Sequence, residues 1–182
     1  MSKILVDEIT TRDGTSTLTL GASGKTLSIP SGCTISNSGS ATGFGKIGQI
    51  IYGTYNTATN TSSTSYVDTG LNANITPSAT SSKVLVMAKI HGMWNNGGAG
   101  RAMLFKILRD STEIQNPVLT ANFIGNVSGS LIGATCAMDF LDSPSSTSAL
   151  NYKIQYRANN AAQNTINANS DISSITLVEV LA

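Results

Sequence analysis

Little in this sequence can move a proton near neutral pH. One histidine, two cysteines and ten carboxylates serve 182 residues. Enzymes usually assemble several such groups, so the shortage weighs against catalysis. Charged residues make up 12% of the chain and the formal net charge is +1. With no basic stripe to follow a phosphate backbone, nucleic acid is not an expected partner. Long apolar runs are also missing, and none approaches the roughly 20 residues of a membrane-spanning helix, so no membrane insertion is expected. The opening residues lack the apolar centre and cleavage site of a secretory signal, and synthesis in a cytoplasm is expected. Cys33 and Cys136 lie far apart in dissimilar segments. They read as reduced, partly buried thiols rather than a disulfide framework. The four prolines are too few for a Pro-rich linker.

Roughly a third of the residues are Ser, Thr or Asn, accompanied by 17 Gly. Hydrophobic residues reach 40% but aromatics only 5%. Val, Ile, Leu and Thr must therefore fill the core, which suits strands better than helices. The length fits one ordinary domain with an appendage, and the composition shifts near residue 45. Before it, apolar pairs recur two residues apart: Leu18 with Leu20, Leu27 with Ile29, and more weakly Cys33 with Ile35. That period belongs to very short strands. Such strands have too thin an apolar face for a stable monomeric sheet. Disorder is one outcome; the other is several identical chains wrapped around a shared apolar axis, which the regular spacing favours. Residues 1–45 thus read as an attachment and stem segment, and 46–182 as a C-terminal knob.

In the knob, strands are expected over 46–55, 66–75 with a break near Gly70, 83–92, 101–109 returning from 112, 131–141, 150–157 and 172–181. The stretch 150–157 alternates cleanly, with Leu150, Tyr152, Ile154 and Tyr156 on one face and Asn151, Lys153, Gln155 and Arg157 on the other. Strands at near-regular spacing, separated by turn residues and without helical periodicity, predict an all-β fold: an antiparallel β-sandwich of jelly-roll type. The segments 84–90 and 103–108 are apolar on both faces. That calls for a second covering surface, and with the stem it predicts a homotrimer.

Two motifs invite a chemical reading. Gly43-Phe-Gly-Lys-Ile-Gly48 matches the glycine pattern of dinucleotide sites, but a β-like run follows it where a helix is required. It reads as a hinge. His91 has no second histidine or nearby cysteine at ligand spacing, and no G-x-S-x-G elbow is present. Catalytic residues, metal ligands and cofactors are accordingly expected to be none. The sequons at Asn60, Asn74 and Asn126 carry no weight without a secretory route. The best binding candidate is the Gly-rich connection Trp94-Asn-Asn-Gly-Gly-Ala-Gly-Arg101. It joins Trp94, Asn95, Asn96 and Arg101, and Trp and Arg are enriched in binding hot spots. The Asn-rich stretch 159–169 is a second polar loop of the same kind.

The opening Met1-Ser-Lys-Ile-Leu-Val-Asp-Glu-Ile and the run Ser23-Gly-Lys-Thr-Leu-Ser-Ile-Pro-Ser-Gly-Cys-Thr-Ile-Ser36 resemble tail-fibre and other virion structural proteins of marine bacteriophages. So, in order, do Ile75-Thr-Pro-Ser-Ala-Thr-Ser-Ser-Lys-Val-Leu-Val, Leu108-Arg-Asp-Ser-Thr-Glu-Ile, Phe140-Leu-Asp-Ser-Pro and Ile175-Thr-Leu-Val-Glu-Val. The resemblance covers most of the chain. It implies a trimeric fibre assembled in the host cytoplasm and carried on the virion, joined to another virion protein by its N-terminal segment. The distal knob would contact a bacterial surface glycan or protein. A capsid fibre or decoration protein without host recognition is the alternative within that class, and a small carbohydrate-binding or depolymerising module the alternative outside it.

Overall fold

The computed structural model describes residue 31 and residues 47–95, 101–123, 134–161 and 163–181. The expected stem, with Leu18, Leu20, Leu27, Ile29 and Cys33, lies outside the described residues. The architecture is that of the unit Gly45–Ala182.

Its strands are β1 (Ile47–Tyr55), β2 (Thr59–Thr61), β3 (Val67–Ile75), β4 (Lys83–Asn95), β5 (Arg101–Arg109), β6 (Thr112–Phe123), β7 (Ala134–Asp142), β8 (Leu150–Ala158), β9 (Asn164–Ile166) and β10 (Ser173–Val180). Eight long strands form two sheets, in the orders β1-β10-β4-β7 and β3-β8-β5-β6, and β9 and β2 extend the first sheet at one end. Every pairing is antiparallel. This is the strand order of a jelly roll, two interleaved Greek keys closed into a sandwich, as the strand spacing predicted. The sole helical segment among the described residues is a 3-10 turn, Ala168–Ser170.

Alternation sets the core. In β8 every second residue is buried, so Leu150, Tyr152, Ile154 and Tyr156 face inward as their spacing predicts. Ile90, Met93, Phe105, Ile107, Ile175 and Leu177 meet them from the neighbouring strands. Phe105 and Tyr156 stack with ring centroids 6.0 Å apart. Complete burial of each such side chain contributes about 1.5–3 kcal/mol. Cys136 is buried on β7.

The two sheets treat their outer faces differently. Across the first sheet, register aligns Ile50, Val178, Leu85 and Leu141 in one row. Tyr52, Thr176, Met87 and Asp139 form the next. Ile50, Tyr52, Met87 and Leu141 remain exposed, Ile50 at 60% and Tyr52 at 66%. The second sheet buries Leu104 and Leu108 within the single chain. Their register partners on β8 are Arg157 and Lys153, whose aliphatic stems cover apolar surface while their heads stay wet. The Tyr66 ring adds to this cover, with Lys106 Nζ 4.5 Å from its centroid and Arg157 at 5.3 Å. Of the two segments whose sequence is apolar on both faces, only β4 therefore still presents an uncovered one.

The break expected near Gly70 is a bulge. Pairing of β3 with β8 shifts register between Asp68 and Asn72. The Thr69 hydroxyl bridges the gap, donating to the Ile154 carbonyl at 2.8 Å and accepting from the Leu71 N–H at 3.1 Å. Gly70 has φ +90°, and a Cβ there would lie 2.4 Å from Tyr55 Cζ. Gly70→Ala should therefore destabilise the fold by about 2–3 kcal/mol, from the left-handed backbone and the displaced ring together. Combining it with Tyr55→Ala should recover the steric part, read as a coupling energy in a denaturant double-mutant cycle. Strict additivity would show that the ring is not the obstacle.

Candidate functional site

The jelly-roll order brings the last residues of β1, β4, β6 and β8 and the first of β3, β5, β7 and β10 to one end of the sandwich, and a three-stranded extension is built there. It starts with a bulge in β4. Gly92, at φ +57°, breaks the register between Ile90 and Met93. A Cβ on it would meet the backbone nitrogen of Ala168 at 2.6 Å. Only glycine allows that approach without strain. Beyond the bulge, β4 leaves β10 and pairs with β9, and β9 pairs with β2. Two cross-strand rows result: Asn60–Thr165–Trp94 and Thr61–Asn164–Asn95. The second row is buried. The first forms the floor of a cavity of about 430 Å³, whose rim includes Gln163 and Asn169.

Sequence pattern alone ends the strand that begins at Lys83 at Gly92 and puts Trp94 and Asn95 in a loop. They are the last two residues of β4. The glycine that resembles a terminator is a bulge, and pairing resumes after it. Both residues line the cavity, Trp94 partly exposed and Asn95 at 4%. Asn96 lies outside the described residues. Arg101 begins β5, and its side chain is not among those described. The second candidate loop, 159–169, supplies Gln163, Thr165 and Asn169 to the same cavity, so the structure joins two loops that the sequence offers separately. Asn60 stands out in the sequence only as a sequon, since a polar residue in a Thr/Asn/Ser run carries no binding signal until β2 pairs with β9.

Hydrogen bonds hold the walls. Thr165 Oγ1 donates to Asn60 Oδ1 at 2.6 Å. Asn95 Nδ2 donates to Asn164 Oδ1, while Asn95 Oδ1 is buried without a partner. Asn167 has no exposed surface. Its N–H donates to the His91 carbonyl at 2.9 Å, its Nδ2 donates to the Thr57 carbonyl at 3.2 Å, and its Oδ1 accepts from the Ser173 hydroxyl. Ser173 Oγ in turn accepts from the His91 N–H at 3.0 Å. Asn167, Asn169 and Ser170 all have left-handed φ values of 54–62°, a strain that surrounding bonds must hold in place. His91 sits beside this network, with Nδ1 3.3 Å from Thr135 Oγ1.

None of the described residues lining the cavity is ionisable. The site offers an aromatic surface, carboxamides and a hydroxyl, which is chemistry for holding a molecule by stacking and neutral hydrogen bonds. Among the described residues no group of three or more His, Cys, Asp or Glu is placed to hold a metal ion. No helix among them is long and apolar enough to cross a membrane.

No family model and no curated protein matches the chain. Solved structures of the infectious bursal disease virus do. The VP2 subviral particle of that virus aligns at TM-score 0.39 and 13% identity, over 74% of this chain and 37% of that one. The Gt strain structure aligns at TM-score 0.37 and 10% identity, over 74% and 38%. The chain thus spans less than two fifths of these viral chains.

Proposed function

We propose that the chain is a structural protein of a bacteriophage virion, a homotrimeric fibre whose jelly-roll knob meets the host surface with its loop end. The observation that carries this reading is the polarity of the knob. The chain enters β1 at Ile47, in register with Val180 at the far end of β10 and so with Lys83 at the start of β4. The cavity lies at the other end of β4, past Trp94. The thirteen residues of β4 separate the two by roughly 40 Å. Chain entry at one end and an open polar cavity at the other would suit a fibre held by its N-terminal side, with the cavity at its tip. The sequence resemblance to phage fibre proteins points the same way, and jelly rolls recur in viral coat and lectin domains.

Self-association is supported by the exposed residues Ile50, Tyr52, Met87 and Leu141 on the outer face of the first sheet. Light scattering on the purified chain should give three times the 18.8 kDa chain mass. A stable folded monomer at micromolar concentration would refute the trimer. A cryo-EM map of the parent particle should place the chain at a projecting fibre. A position flat on the capsid shell would replace the fibre reading with that of a decoration protein.

A further inference from the structure

We infer that the loop-end cavity is a binding site for an uncharged sugar residue, with Trp94 as the apolar platform and the carboxamides around it as the hydrogen-bonding rim. This deepens the host-contact reading above by naming the ligand class, and it rests on that reading. A volume of about 430 Å³ lies within the 300–1,000 Å³ usual for small-molecule sites. The described lining residues supply no counter-charge for an anionic ligand such as a phosphate or uronic acid, and burying an unpaired charge is strongly unfavourable. An aliphatic ligand would strip water from Asn60, Gln163 and Thr165 and return no hydrogen bond. A sugar ring meets both demands. Its C–H face lies against an aromatic ring, and its hydroxyls donate and accept in the same plane.

The walls are built before any ligand arrives. Beneath the floor, in the buried row, Asn95 Nδ2 donates to Asn164 Oδ1, and Asn95 Oδ1 and Asn164 Nδ2 are left without partners. Thr165 and Asn60 are pre-set against each other at 2.6 Å. The left-handed residues Asn167, Asn169 and Ser170 fix the rim before any ligand arrives. Pre-formed geometry of this kind lowers the ordering cost of binding. In a trimer, three weak sites would act together.

The chain contains a single tryptophan, and it is the one in the cavity. Its fluorescence therefore reports occupancy directly. The full chain should be titrated with glucose, galactose, mannose and N-acetylglucosamine, and with glucuronic acid and N-acetylneuraminic acid as charged counterparts. At least one neutral sugar should give a saturable change with a Kd on the order of 1 mM, and the acids should not. Asn60 and Gln163 are exposed, so Asn60→Ala and Gln163→Ala should fold normally and each weaken that Kd about tenfold, the equivalent of one lost hydrogen bond. Silence toward every neutral sugar, tighter binding of an acid, or wild-type affinity in both exposed variants would overturn the assignment. If the chain still adheres to host cells in that event, the host-contact reading survives and only the sugar falls. If a sugar binds but the particle map puts the cavity inside the virion, the sugar site stands and host contact falls.

Discussion

Replacing Glu179 with glutamine should remove a large pH-dependent contribution to the stability of the knob. Glu179 is 1% exposed, near the end of β10. Its Oε1 accepts from the Ser78 N–H at 2.6 Å and the Ser78 hydroxyl at 2.7 Å, and its Oε2 accepts from Gln49 Nε2 at 2.8 Å. Gln49 also donates to the Thr76 carbonyl at 2.7 Å. One carboxylate thus ties β1 and the β3–β4 connection to the end of β10. Burial alone would raise its pKa. The Ser78 and Gln49 bonds to the charged form outweigh that and hold it down to about 2, against an ordinary 4.5. A folded-state pKa below the unfolded value means stability that is present above about pH 4.5 and lost as the pH falls toward 2. The difference corresponds to at most roughly 3 kcal/mol. In Glu179→Gln an amide NH2 must face donors at one oxygen position, so the variant should be about 2–3 kcal/mol less stable at pH 7. Denaturant titrations of both proteins from pH 7 to pH 2 should converge at the acid end. A gap that stays constant over that range would show that the carboxylate is not charged in the way the geometry requires.

The opposite edge of the same sandwich end is sealed by a second carboxylate. Asp142 Oδ2 accepts from Arg109 Nη1 and from the Tyr152 hydroxyl, both at 2.7 Å. Burial and the Asp142 bond push the Tyr152 hydroxyl up, so it stays protonated and donating. Asp142 is on β7, while Arg109 and Tyr152 are on β5 and β8, so the three link the two sheets. Together with Glu179 they tie down the end at which the chain enters β1, opposite the loop end that carries the cavity.

The legible and illegible parts of this fold divide along a physical line. Strands whose partners are long and whose core face is apolar announce themselves. β8 and β10 are examples, since alternation and burial agree along most of their length. The bulge at Gly70 is legible because glycine in a strand pattern has few other uses. The bulge at Gly92 is not, because Asn-Asn-Gly-Gly follows soon after it and composes a stronger turn signal than the pairing it interrupts. β2 and β9 are three residues each, built from Thr and Asn with one Ile between them. They exist because β4 runs on past its bulge and offers an edge; nothing local requires them. The cavity inherits that division. Trp94 and Asn95 stand out by residue type. Thr165 and Asn60 become a site only through register, a long-range property that a polar run does not encode.

Asn167→Ala should be among the most damaging single changes at the loop end, and it tests whether the cavity is built or incidental. Alanine keeps the N–H bond to His91 but removes the acceptor for the Ser173 hydroxyl and the donor to the Thr57 carbonyl. Leaving buried polar groups unpaired costs about 1–3 kcal/mol each when water does not reach them. Alanine must also adopt φ 54°, which costs a further 1–2 kcal/mol or so. A total loss of about 2–4 kcal/mol is expected, allowing for relaxation, or a fall in Tm on the order of 10 °C. Asn167→Gly separates the two causes. It relieves the backbone and not the hydrogen bonds, so it should be about 1 kcal/mol more stable than the alanine variant and still well below wild type. Because Asn167 anchors the segment between β9 and β10 to β4 and to the residues that follow β1, both variants should also shift the Trp94 emission toward that of an exposed indole before any global unfolding. Variants as stable as wild type, with unchanged emission, would mean that the left-handed rim is held by something other than this asparagine. The pre-organisation invoked for ligand binding would then lose its foundation.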